Sequence, residues 1–254
     1  MTDINTVTVV GAGYMGGGIA QRFALAGMAV TIVDTDPEAT QQGLDRLIRE
    51  AQEFEDDGLY PEGSTQTIRA NLSAGSSLAE AVAGADFIEE AVFERVDVKR
   101  EVLAEISRHA RPDTIIGTNT STIPVRELDT AVENPERFLT VHFSNPAPFI
   151  PGVEIIAGTS TDPAAVETVK ELLVRVGAEG AQVADTPGMV LNRLQYVLLK
   201  EATSIVEEGV ATVEDVDTIV RTTFGFRLGF FGPFAIADQA GLDVYADSFK
   251  TFEA

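Results

Sequence analysis

The chain has 254 residues, 44% of them hydrophobic, a length that suits one large domain or two unequal ones and buries a core without staples. Zero Cys and only two His, His109 and His142, exclude disulfides and thiolate chemistry and leave no metal site to expect. Forty acidic residues against 18 basic ones give a formal charge of −22, which excludes a basic nucleic-acid surface. No apolar run approaches a membrane span and no basic, apolar leader opens the sequence, so a cytoplasmic protein with no membrane partner is expected.

Short β-branched runs alternate with helical patterns over the first 185 residues. Thr6 to Val10 reads as a buried strand, residues 16–26 as a helix, and Ala29 to Val33 as a second strand. Asp36-Pro37 opens a helix, Asp as cap and Pro at the first helical position, which runs to the acidic stretch before Gly58. Residues 59–80 read as loop with one short helix. Further strands are expected over Asp86 to Val92, Thr114 to Gly117, Phe138 to Phe143, Val153 to Ala157 and Gln182 to Ala184. Helices fill 95–110 and 162–176 between them. This alternation predicts an α/β fold with a doubly wound parallel sheet. After Pro187-Gly188 only helical signals remain, over 189–208, Glu214 to Thr222 and Phe234 onward. The expected division is therefore a Rossmann-type dinucleotide-binding domain over 1–185 and a smaller all-α domain over 186–254.

Gly11-Ala12-Gly13-Tyr14-Met15-Gly16 lies directly between the first strand and the first helix. Gly11 permits a tight turn, Gly13 a close approach of backbone to a diphosphate, and Gly16 close helix-to-strand packing. The helix N-terminus offers the diphosphate free N–H groups, a local remedy in an acidic protein. Asp34 ends the second strand, 18 residues beyond Gly16. A carboxylate there accepts from ribose hydroxyls and repels a 2′-phosphate, so the cofactor reads as NAD rather than NADP. Thr35 and Asp36 follow it, with no Arg to hold such a phosphate.

Val9 to Gly16 followed by Gly18-Ile19-Ala20-Gln21 resembles the opening of L-3-hydroxyacyl-CoA dehydrogenases. Glu90-Ala91-Val92-Phe93-Glu94 with Lys99, then Thr118-Asn119-Thr120-Ser121, continue the likeness. So do His142-Phe143-Ser144-Asn145-Pro146 with Val153-Glu154, and Pro187-Gly188 with Asn192-Arg193. The resemblance implies that His142 is the general base, that Glu154 orients its ring, and that Ser121 and Asn192 bind the reacting oxygen. It implies that Ala91, Glu94, Lys99 and Asn119 line the nicotinamide half of a site in which Gly11, Gly13, Tyr14, Met15, Gly16 and Asp34 hold the rest of NAD. It also implies a homodimer built on the helical domain. Independently, alcohol oxidation by hydride transfer needs a base that works near neutral pH, and histidine suits it. His142 ends a predicted strand, where open α/β sheets place ligands, and a hairpin-like return can bring Glu154 to it. Read from residue type alone, Lys99 is equally a solvated helix residue, Asn192 an exposed helix position and Ser121 a helix cap.

The sequence departs from the family's pattern in two places. Ser144 stands where a second aromatic is usual, and Ile150-Pro151-Gly152 is similar instead to the gulonate 3-dehydrogenase (lambda-crystallin) and carnitine dehydrogenase branches. The sequence also stops at Glu253-Ala254, ahead of a basic segment usual in the family. The expected function is hydride transfer between a 3-hydroxyacyl-CoA and NAD. The alternatives are the same reaction on a free 3-hydroxy acid and a catalytically weak NAD-binding structural protein.

Overall fold

The computed structural model describes residues 4–252; residues 1–3 and 253–254, on which the readings of a leader and of the C-terminal stop partly fall, lie outside them. The chain folds as two compact units, Met1–Asn192 and Arg193–Ala254.

The first unit runs β1 (Thr6–Val10), α1 (Tyr14–Leu25), β2 (Ala29–Val33), α2 (Pro37–Asp56), α3 (Ser64–Asn71), β3 (Leu72–Ala74), α4 (Leu78–Ala83) and β4 (Phe87–Glu90). It continues with α5 (Val96–His109), β5 (Ile115–Thr118), α6 (Val125–Leu128), β6 (Phe138–Phe143), β7 (Gly152–Ala157), α7 (Pro163–Arg175) and β8 (Glu179–Val183). The eight strands form one sheet in the order β3-β2-β1-β4-β5-β6-β7-β8. β4 and β6 are buried throughout; β6 reads accordingly as a near-continuous apolar and β-branched run rather than an alternating one, whereas β4 carries two glutamates, Glu89 and Glu90, into the interior. One face is packed by Ile19 and Phe23 of α1, Leu47 of α2, Ile68 of α3 and Leu172 of α7. The other is packed by Val82 of α4, Leu103 and Ile106 of α5 and Leu128 of α6. The sheet is therefore doubly wound, as expected.

Three expectations need correction. Residues 59–80 are not mainly loop: they hold α3, β3 and the start of α4. β3 has three residues, too few to carry a periodicity, and is held by pairing with β2. The last strand begins at Glu179 rather than Gln182, because its pairing with β7 starts at Gly152 opposite Glu179. The sheet is also not wholly parallel, since β6 and β7 run antiparallel.

In the C-terminal segment, α8 (Leu191–Glu207) leads into the second unit, which holds α9 (Val213–Thr222), α10 (Phe224–Leu228), α11 (Pro233–Ala240) and α12 (Leu242–Phe252). The short α10 carried no sequence signal. Thr212 caps α9 by accepting from the Asp215 amide, and Pro233 starts α11. No helix is long and apolar enough to cross a membrane among the described residues.

Candidate active site

The turn from β1 to α1 has the shape its glycines predict. Gly11 has φ +104, a conformation that suits only glycine, and a Cβ on Gly16 would lie 1.9 Å from the Gly11 carbonyl oxygen. Over Gly13 the space is open, with nothing within 4 Å of a would-be Cβ. Tyr14 starts α1 and is exposed, Met15 packs partly into the core, and the first turn of the helix carries no acidic side chain. An open backbone surface backed by a helix N-terminus fits a diphosphate. Asp34 sits at the end of β2, where its Oδ2 accepts from the Ala12 amide at 2.7 Å and its Oδ1 from the Thr35 amide. Each oxygen keeps a second lone pair, so the carboxylate can still accept from ribose hydroxyls.

A buried charge network closes the next strand end. Lys99 reaches from α5 to β4 and is 1% exposed, so the solvated alternative for it is overturned. Its Nζ donates to Glu90 Oε1 at 2.8 Å and lies 3.6 Å from Glu94 Oε2. Glu90 also accepts from the Thr118 hydroxyl at 2.6 Å. Glu94 Oε1 in turn collects the Thr120 hydroxyl and the Ser121 and Thr122 amides. Burial opposes the charge on Glu94, but the Thr120 hydrogen bond, the Lys99 charge and the Thr122 bonds outweigh it and hold the carboxyl below the usual range. Asn119, at the end of β5, accepts from the Phe143 amide at 2.8 Å. Ala91 lies beside the glycine turn, its Cβ 3.2 Å from where a Gly16 Cβ would stand.

The antiparallel return of β7 pairs His142 with Glu154 in register. Directly opposed residues share a face, so the two side chains meet: His142 Nδ1 lies 3.0 Å from Glu154 Oε2, and both are buried. A carboxylate can only accept, so this contact calls for the hydrogen on Nδ1, and in the neutral ring the lone pair is then on Nε2. The other oxygen of Glu154 accepts from the Val190 and Leu191 amides at 2.8 and 3.0 Å, at the start of α8. A helix N-terminus and an imidazole thus hold one carboxylate from two sides. Asn192, one residue on, donates from Nδ2 to the Ser121 carbonyl at 2.9 Å. That contact replaces the reading of Asn192 as a merely exposed position. Ser121 does not cap a helix, since Pro124 precedes α6. The structure therefore gathers Ser121, Glu94 and Asn192 into one hydrogen-bonded group, and His142 with Glu154 into another bridged to it at the start of α8.

Two residues that the sequence reading missed shape the site. Arg22 of α1 is buried and donates to the carbonyls of Ala147, Ile150, Val176 and Gly177, pinning the loop that follows His142. Arg46 of α2 lies on the glycine turn, its Nη2 2.5 Å from the Ala12 oxygen. A lone arginine within a helix carries no local signal of such contacts. His109 lies apart from the site, against Glu105 on α5. Among the described residues no group of side chains could hold a metal ion.

Comparison with known proteins places the chain in a family. The family model for the NAD-binding domain of 3-hydroxyacyl-CoA dehydrogenase matches residues 6–186, and that for the C-terminal domain of the same family matches residues 188–254. A probable 3-hydroxybutyryl-CoA dehydrogenase of Bacillus subtilis is 35% identical over 241 residues, covering 95% of this chain and 83% of its own. An L-carnitine dehydrogenase of Pseudomonas putida is 35% identical over 244 residues, covering 96% and 75%. The crystal structure of 5-formyl-3-hydroxy-2-methylpyridine 4-carboxylic acid 5-dehydrogenase, an NAD+-dependent dismutase, superposes with a TM-score of 0.87 at 34% identity, covering 99% and 81%. With its glycine turn, its buried histidine–carboxylate pair and both family models in place, the chain belongs to the 3-hydroxyacyl-CoA dehydrogenase family and is an NAD-dependent oxidoreductase acting on CH–OH groups.

Proposed function

We propose that the chain interconverts a 3-hydroxyacyl-CoA and its 3-oxoacyl-CoA. The observation that carries this reading is the cross-strand pair of His142 and Glu154, with Nδ1 engaged and Nε2 free. In oxidation Nε2 takes the hydroxyl proton, and Glu154 balances the positive charge that the ring gains. NAD supplies the acceptor for the hydride that leaves the same carbon. Ser121 and Asn192 bind the reacting oxygen. Ala91, Glu94, Lys99 and Asn119 wall the nicotinamide half, while Gly11, Gly13, Tyr14, Met15 and Gly16 carry the diphosphate and Asp34 the ribose. Residues 1–185 form the cofactor domain, and residues 186–254 join two copies of the chain. The intact pair supports turnover over a purely structural role.

A second reading, the same reaction on a free 3-hydroxy acid, is favoured by the charges. Coenzyme A carries three phosphate groups. In the first unit, only Arg49 and Arg69 among the described cations lack a protein partner; the others are held by carboxylates, hydroxyls or carbonyls, as Arg126 is by Asp185. A substrate panel read by NADH absorbance decides between the two: short 3-hydroxyacyl-CoAs against 3-hydroxybutyrate, gulonate and carnitine. Turnover of free acids alone rejects the thioester. In the same assay His142→Gln is expected to lower kcat by about a thousandfold with NADH affinity kept, and near-normal kcat would reject the assignment of the base.

A further inference from the structure

A diphosphate approaching this protein meets a formal charge of −22, so the local field at the glycine turn decides whether it binds. A helix N-terminus is one source of positive potential there. The structure adds a second. Arg46 donates from Nη2 to the Ala12 carbonyl at 2.5 Å and lies 3.4 Å from the Gly13 oxygen. The same nitrogen is 3.3 Å from where a Cβ on Gly17 would stand, so the guanidinium rests against the first turn of α1. Ala12 is held on its other side by Asp34 through its amide. Carboxylate and guanidinium thus hold the two successive peptides that flank the Ala12 Cα, next to the open space over Gly13.

The other arm of Arg46 is held by Glu50, with Nη1 2.6 Å from Oε1 one helical turn on. That pair presets the side chain. It leaves further N–H groups of the guanidinium without a protein partner, and the side chain is about a third exposed, at 32%. It is placed to meet solvent and ligand at the edge of the diphosphate cradle rather than to serve the core.

We propose that Arg46 is a cofactor-affinity residue: its guanidinium is the fixed local cation that the diphosphate of the dinucleotide binds beside, positioned by the Ala12 carbonyl and Glu50. This assigns a function to a side chain outside the glycine motif. It holds whichever acyl substrate the enzyme takes.

The test compares wild type, Arg46→Gln and Arg46→Lys by fluorescence titration of NADH and competition with ADP-ribose, at 20 mM and 1 M KCl. Arg46→Gln is expected to raise both dissociation constants about tenfold at low salt, as loss of a charge-assisted contact does. The ratio of variant to wild type should fall below about three at 1 M, where screening shortens to about 3 Å. Taking the ratio cancels the repulsion from the rest of the protein, which both forms share. Arg46→Lys should recover part of the affinity at low salt. Unchanged affinity in Arg46→Gln would overturn the proposal. So would a loss of equal size at both salt concentrations, because a glycine turn that had merely lost its shape would not respond to screening.

Discussion

Glu89 stands next to Glu90 on β4, yet the two carboxyls live in different worlds. Glu90 has Lys99 and Thr118 as partners. Glu89 is fully buried, with neither carboxyl oxygen hydrogen-bonded among the described residues. Room for it exists because β5 carries Gly117 opposite, where a Cβ would fall 2.3 Å from Glu89 Oε2. Burial, reinforced by the Glu90 charge and only partly offset by Lys99, pushes its pKa well above the ordinary carboxylate range. The sign of the linkage follows. Above about pH 4.3 the unfolded chain releases this proton while the folded chain keeps it, so the contribution to stability falls as pH rises. Glu89→Gln removes the titration. Its melting temperature is expected to match wild type near pH 5 and to exceed it by a margin that widens towards pH 8. A margin independent of pH would show that Glu89 is charged in the folded state.

At the scale of elements, the site depends on how α2 and β7 are laid down. Asp36 caps α2, accepting from the Ala39 amide at 2.8 Å, and Pro37 occupies the first helical position, both visible from residue type. Gly43 lies in the middle of α2, where glycine is unfavourable by propensity alone. In the structure it is where α2 meets the glycine turn: a Cβ there would be 2.7 Å from that of Ala12. Gly43→Val is therefore expected to push α2 off the turn, at a cost of about 1–3 kcal/mol. Thermal melting should fall by several degrees and NADH binding should weaken together. A variant that melted and bound like wild type would mean that α2 is not seated on Ala12. The return of β7 is the second such element. His142 and Glu154 are twelve residues apart in sequence, and the antiparallel register closes that gap to one hydrogen bond.

The whole molecule presents two contrasting surfaces. The chain is strongly acidic, yet the Arg193–Ala254 unit exposes large apolar side chains in number, including Leu194, Val197, Phe226, Phe230, Phe234 and Phe249. Scattered exposed apolar groups are ordinary, but so many aromatic and aliphatic side chains in so small a unit favour association. Sedimentation equilibrium is expected to give twice the 27.1 kDa of the chain. Replacing Phe226 and Phe230, whose rings lie 5.6 Å apart, by Ser should shift the population towards monomer. A wild-type mass of one chain at micromolar concentration would reject the dimer.

Chain-local chemistry was already decisive for much of this protein. The glycine turn, the Asp-Pro and Pro starts of helices, the strand–helix alternation and the charge all act within a few residues, so residue types alone point to an α/β dinucleotide fold. The ordered motifs around His142 and Lys99 point to the family. Other features depend on groups far apart in sequence becoming neighbours. Burial turned Lys99 from a candidate surface residue into the centre of a Glu90–Glu94 network. Strand pairing created β3 and turned the sheet antiparallel at β7. Packing of α2 against the glycine turn placed Arg46 on Ala12, and the start of α8 placed Asn192 on Ser121 in the segment after β5. Periodicity and turn propensity report on local backbone preference. Register, burial and the partner of a long side chain are set by the free energy of the whole fold, and only the assembled tertiary structure expresses them.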